Sequence, residues 1–211
     1  MYILERTQRF IRGFIASYGP SSLKKRVWDK EYSGSKWEFN DVTTGDCVYA
    51  YLEKYVRKGS ILDLGCGSGN TVNEIEAGTF SRYVGLDIST EALAKAARRT
   101  ENAGRMSKSR FVQGDFLSFE PNANFDVILF RESMYHIPIE GIKPILAKYS
   151  KHLVDGGVFI VRLSTVDKGK VKSRPAKMIG LIESNFDVLE KGVFGERADT
   201  VIVFRPRAQS N

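Results

Sequence analysis

The spacing of apolar positions changes near residue 59. Before that point Ile3, Leu4, Phe10, Ile11, Phe14, Ile15 and Tyr18 recur at helical intervals with Arg6, Arg9 and Arg12 between them, which predicts a first helix. Gly19-Pro20-Ser21-Ser22 breaks the pattern, after which Leu23 to Tyr32 reads as a second short helix and Asp41 to Tyr55 as a third. From Ser60 onward, short apolar runs alternate with helical ones. Ile61 to Leu64 is a strand ended by glycines, Ser68 to Ala77 a helix, Tyr83 to Leu86 a strand ended by Asp87, and Ser89 to Arg99 a helix. Strands then follow at Arg110 to Val112 and Phe125 to Phe130, with a helix from Pro138 to His152. A fifth strand, Val158 to Leu163, comes after the turn Asp155-Gly156-Gly157.

Such alternation predicts a parallel sheet with helices on both faces. The tail differs: Phe186 to Val193 and Thr200 to Phe204 are strand-like and joined by Phe194 to Asp199, a link too short for a helical crossover, so they should pair as an antiparallel hairpin. No internal repeat or low-complexity tract interrupts the chain. Its 211 residues suit one α/β domain over 59–207, a helical extension or lid over 1–58 and a disordered tail at 208–211.

Composition narrows the function classes. A chain that is 42% hydrophobic and 27% charged is neither fibrous nor wholly disordered. No apolar run approaches the roughly 20 residues that span a bilayer, and the charged N-terminal segment lacks a signal-peptide pattern; a cytoplasmic location is expected. Cys47 and Cys66 imply no disulfide framework, and with His136 and His152 they lack the spacing of a zinc site, so no metal is expected. The net charge of +7 is spread over Lys24-Lys25-Arg26, Arg98-Arg99 and Lys168 to Lys177 and reads as a solvated surface before a nucleic-acid footprint.

The chemistry points to the first sheet turn, Asp63-Leu64-Gly65-Cys66-Gly67-Ser68-Gly69. Ligands in a doubly wound sheet lie beyond the carboxyl ends of the strands at the switch point. Glycines there supply positive backbone dihedrals and let a flat ligand approach the main chain. Asp87 ends the next strand 22 residues after Gly65, at the distance from which a carboxylate accepts both ribose hydroxyls. A nicotinamide dinucleotide would use the same parts. Here, however, the third glycine comes one residue early at Gly69, and Asn70 takes the dinucleotide position. A carboxylate at Asp63, buried under the turn, would repel a pyrophosphate and pair with an ammonium.

With these motifs in order, the sequence resembles the class I, Rossmann-like methyltransferases that depend on S-adenosylmethionine, over about Ser60 to Arg205. The resemblance implies a seven-stranded sheet of order 3-2-1-4-5-7-6 with a reversed last strand, and S-adenosylmethionine as cofactor. Ile61 to Gly69 looks like the family's first motif, placing Asp63, Gly65, Cys66, Gly67 and Gly69 at the cofactor. Val84 to Ser89 is similar to its second, implying ribose contacts from Asp87 and adenine packing by Ile88. Phe111 to Phe116 looks like the acidic loop after strand three, implying that Asp115 binds the adenine amino group and Phe116 flanks the ring. Leu153 to Phe159 resembles the turn before strand five.

Phe130 to Pro138 follows strand four at the sheet edge where the transferable methyl should point. It resembles the small-molecule branch of the family, in which a histidine at the position of His136 acts as base; packing against the helix that begins at Pro138 is the structural alternative. Tyr135 and Glu132 are secondary candidates for substrate contact, and Arg131 is placed at the cofactor or against Glu132. The stretch Glu31 to Phe39 suits a flap, with Tyr32 and Trp37 toward the methionine end. The expectation is an O-methyltransferase acting on a small metabolite or saccharide intermediate, as monomer or homodimer. Methylation of RNA or another polyanion, and a cofactor-binding regulatory protein without catalysis, are the alternatives. Peripheral membrane contact through the basic first helix ranks below packing on the domain or a dimer contact.

Overall fold

The computed structural model describes residues 11–34, 44–167, 170–171 and 173–207. The first part of the N-terminal helix, most of the flap including Trp37, and the tail at 208–211 lie outside the described residues. Helices α1 (residues 11–18) and α2 (Ser21–Ser33) are followed by α3 (Val48–Val56), β1 (Ser60–Leu64), α4 (Asn70–Glu74), β2 (Arg82–Asp87) and α5 (Thr90–Asn102). Next come β3 (Ser109–Gln113), β4 (Phe125–Arg131), α6 (Ile139–Ser150) and β5 (Leu153–Ser164). The chain closes with β6 (Val166–Asp167), β7 (Lys170–Val171), α7 (Ser173–Asn185), β8 (Asp187–Phe194) and β9 (Asp199–Arg205).

Seven strands form one sheet of order β3-β2-β1-β4-β5-β9-β8, while β6 and β7 make a small separate hairpin. The β1–β2, β1–β4, β2–β3 and β4–β5 pairs are parallel, and β9 runs antiparallel to both β5 and β8. This is the expected 3-2-1-4-5-7-6 order with its reversed strand. Because successive side chains point to opposite faces, each central strand feeds two cores. Leu62, Ile128, Phe130, Phe159, Val161, Ile202 and Phe204 pack with Ile142, Leu146 and Tyr149 of α6 and Met178 and Ile182 of α7. On the other face Ile61, Val127, Leu129, Ile160, Val201 and Val203 pack with Val48, Tyr49, Leu52 and Val56 of α3 and Val72 of α4. Burial on both faces explains why these strands read as continuous apolar runs.

Several elements differ from the sequence reading. The helix expected over Ser68 to Ala77 is only α4: Gly69 is left-handed at φ 79°, and Ile75 turns extended and buried. Arg105 donates to the freed carbonyls of Val72 and Ile75 at 2.7 and 2.6 Å. Helix α3 starts at Val48 because Gly45 turns at φ 81° and Asp46 accepts from the Val48 amide at 3.1 Å. The turn Asp155-Gly156-Gly157 lies within β5 as an irregularity opposite Phe125 to Val127, with Gly156 at φ 74°. Helix α7 was not anticipated, since Lys168 to Lys177 read as surface charge. Its buried residues Pro175, Met178, Ile179 and Ile182 nevertheless keep helical spacing.

Candidate cofactor and acceptor site

Beyond the carboxyl ends of β1 and β4 lies a cavity of about 550 Å³, a size that suits a small organic ligand. Its floor is the turn after β1. Gly65 and Gly67 have φ of 83° and 54°, in the left-handed region that favours glycine. A Cβ on Gly65 would stand 2.6 Å from the Ser133 Cβ, and one on Gly67 would stand 2.6 Å from the Tyr32 hydroxyl. The turn is anchored to β2 by hydrogen bonds from the Gly65 and Cys66 amides to the Leu86 carbonyl, at 2.8 and 3.0 Å. Cys66 lines the cavity as a protonated thiol, because burial pushes its pKa well up. Asp63 and Gly69 lie behind the wall and do not line it. Tyr83 donates to Asp63 Oδ2 at 2.7 Å, while Oδ1 has no hydrogen-bond partner among the described residues.

At the end of β2 the Asp87 carboxylate accepts from the Gly67 amide through Oδ2 and from the Ser89 amide through Oδ1, each at 2.9 Å. Burial nevertheless pushes its pKa up to about 6. Ile88 and Phe116 stand on the same wall. Asp115 is also there, with both oxygens in use. Oδ2 accepts from Ser21 at 2.9 Å and Lys24 at 3.1 Å, and Oδ1 from the Leu117 amide at 3.0 Å.

Helix α2 roofs the cavity. Lys24, Trp28 and Tyr32, spaced four residues apart and therefore on one helical face, all line it. Asp29 of α2 accepts from the Ser89 hydroxyl at 2.8 Å, tying the roof to the start of α5. Sequence reasoning found Tyr32 and missed Lys24 and Trp28, although their four-residue spacing was legible.

The opposite wall comes from the end of β4. Glu132 has φ 55°, strained for a residue with a side chain, and the next residues form a single 3-10 turn, Met134–His136. Arg131 pairs with Asp46 at 2.8 Å. It does not pair with Glu132, whose partner is Arg162 of β5 at 2.5 Å. Arg162 also binds Asp199 at 2.8 Å and approaches Asp46 at 3.4 Å. Asp46 and Arg162 line the cavity and were missed; an arginine inside the apolar run of β5 was the available signal. Tyr135 donates to the Ser164 carbonyl at 3.0 Å, and burial raises its pKa. His136 packs edge-on against Trp28 with ring centroids 4.9 Å apart. Burial first, then the charges of Arg174 and Lys24, pushes its pKa down to about 4. The near-neutral titration of a free imidazole does not hold here.

The geometry therefore gathers Tyr32, Gly65, Cys66, Gly67, Asp87, Ile88, Asp115, Phe116, Arg131, Glu132, Tyr135 and His136 around one cavity. Among the described residues no cluster of histidine, cysteine and acidic groups could hold a metal ion.

Residues 61–157 match the family described as "Methyltransferase domain". The sterol 24-C-methyltransferase of Aspergillus fumigatus is 35% identical over 138 residues, which cover 60% of this chain and 36% of that protein. The sterol 24-C-methyltransferase ERG6B of Gibberella zeae is 34% identical over 101 residues, 47% of this chain and 26% of that protein. The chain thus matches about a quarter to a third of the length of these curated relatives. The N-methyltransferase NodS from Bradyrhizobium japonicum WM9, solved with S-adenosyl-L-homocysteine, shares the fold with a TM-score of 0.67 at 18% identity, covering 87% of this chain and 98% of that one. The DhpI complex with the same ligand superposes at TM-score 0.67 and 19% identity over 92% of this chain and 97% of its own. The matched domain and the strand order agree: residues 61–157 match a methyltransferase domain, and the chain has the fold of the class I, Rossmann-like methyltransferases.

Proposed function

We propose that this chain transfers the methyl group of S-adenosylmethionine to an oxygen of a small metabolite or saccharide intermediate. The observation that carries this reading is the continuity of one roofed cavity between the glycine turn after β1 and the 3-10 turn after β4. The residues fit the cofactor. Asp87 presents two carboxylate oxygens at the cavity wall for the ribose, and Ile88 and Phe116 offer apolar flanks for the base. The bound cofactor supplies an electrophilic methyl on a sulfonium centre.

The protein's part is alignment and exclusion of water, worth up to about 7–11 kcal/mol of the barrier when reacting atoms are held in attack geometry. With the cofactor held there, its methyl would be the electrophile offered to the acceptor oxygen, and the imidazole of His136 would take the hydroxyl proton. At neutral pH that imidazole is uncharged and ready to accept. Its weak basicity means that it takes the proton in step with bond formation. Glu132 and Tyr135 hold the acceptor from the β4 side, and Tyr32 closes over the glycine turn.

Incubation with S-adenosylmethionine labelled on its methyl group and a panel of hydroxylated and amine acceptors tests the reading. Label on oxygen, lost in His136→Ala with cofactor affinity kept, is the expected result. A second reading, transfer to nitrogen or carbon, is favoured by the names of the N-methyltransferase and sterol 24-C-methyltransferase relatives. Label on an amine acceptor, unaffected by His136→Ala, would establish transfer to nitrogen. The net charge of +7 supports RNA as acceptor, whereas a cavity roofed by α2 favours a small molecule.

A further inference from the structure

The two helices that roof the cavity carry a second feature on their outer side. Ile11, Phe14 and Tyr18 of α1, spaced three and four residues apart, share one helical face, and they are 51%, 56% and 51% exposed. Phe14 and Tyr18 stack with ring centroids 5.1 Å apart, so the face is a continuous apolar strip. Leu23, at the start of α2, adds a further apolar group at 41% exposure. Ala16, on the other side of α1, is buried and lines the cavity.

Charge decides what covers this strip. On α2 the exposed Arg26 and Lys30 share a face with Leu23, away from the cavity-lining Lys24, Trp28 and Tyr32. The two acids of the helix are spent elsewhere: Asp29 pairs with Lys25 and Glu31 pairs with Arg12 of α1. The Arg12–Glu31 pair also ties α1 and α2 together as a hairpin. An apolar strip flanked by uncompensated cations is the pattern of a helix that lies in the surface of an anionic bilayer. A second copy fits less well, because a self-complementary contact would bring the Arg26 and Lys30 side of one copy against the same cations of the other.

We infer that the α1–α2 hairpin docks this protein on anionic membrane, with Ile11, Phe14, Tyr18 and Leu23 entering the interfacial layer and Arg26 and Lys30 meeting lipid phosphates. This inference does not depend on the choice of methyl acceptor. Co-sedimentation of the full chain with vesicles tests it. Vesicles of phosphatidylcholine containing phosphatidylglycerol should capture the wild type, pure phosphatidylcholine should capture little, and capture should fall with added salt. Phe14→Glu/Tyr18→Glu and Arg26→Glu/Lys30→Glu should each bind the anionic vesicles about tenfold more weakly or worse, with unchanged circular dichroism. Equal capture of wild type and Phe14→Glu/Tyr18→Glu, or no capture of the wild type, would overturn the inference. So would a wild-type dimer, seen by analytical ultracentrifugation, that ignores vesicles and is split by Phe14→Glu/Tyr18→Glu.

Discussion

Asp87 shows how burial and hydrogen bonding compete at a single carboxylate. Two backbone amides hold its charge, yet enclosure raises its pKa from 3.8 to about 6. A ribose binds best to the ionised form, which accepts both hydroxyls. Affinity for S-adenosylhomocysteine should therefore rise with pH through about 6, and calorimetry of Asp87→Asn should show weaker binding, by about 1.5–3 kcal/mol, with that dependence lost. His136 moves the other way. Its folded pKa of about 4 lies below the free value of 6.5, so between these values the unfolded chain holds more protons. Its contribution to stability is thus present above about 6.5 and lost as pH falls toward about 4. Over the same window the raised pKa of Asp87 works in the opposite sense, so the test compares variants. Thermal unfolding of His136→Gln should lose less stability than wild type on acidification, and identical pH slopes would contradict the assignment.

At the scale of elements, α2 is held to the sheet edge by Lys24 and Asp115, whose side chains are only 7% and 8% exposed. Removing one partner of such a pair strands a buried charge. Lys24→Met should cost about 3 kcal/mol in chemical denaturation, and Asp115→Asn in the same chain should restore part of the loss; additive losses would show that the pair is not coupled. Asp115 thereby serves in the roof, with both oxygens already taken, where the family resemblance assigns it to the adenine amino group. Resemblance carries the residue's place on the wall but not its present partner, which comes from a helix more than 90 residues earlier. The same distinction runs through the fold. Strands β1, β2, β4 and the β8–β9 hairpin were legible because burial on both faces, or a short link, leaves a local signature. The truncation of α4 was not, since it depends on Arg105 capping its carbonyls across the structure. Helix α7 was hidden because it begins inside the basic stretch Lys168 to Lys177, where Arg174 turns inward to donate to the Ile137 carbonyl. The pairing of Arg162 with Glu132, Asp199 and Asp46 joins three separate elements, and sequence order alone shows an arginine in a strand without its acids.

For the whole molecule, the topology explains why one cavity spans the turns after β1 and β4. The sheet reverses direction of growth between β1 and β4, and the turns that follow those strands face each other across the gap, close enough that a side chain on Gly65 would strike Ser133. Among the described residues, the roof comes from Ala16 of α1 and Lys24, Trp28 and Tyr32 of α2. Among the described residues no helix is long and apolar enough to cross a membrane. The most direct test is a crystal structure of the full chain with S-adenosylhomocysteine. It should show the nucleoside against Gly65 and Gly67 with both ribose hydroxyls on Asp87, and the sulfur facing His136 under Trp28. Ligand bound elsewhere, or crystals grown in saturating ligand with this cavity filled only by the protein's own side chains, would contradict the account.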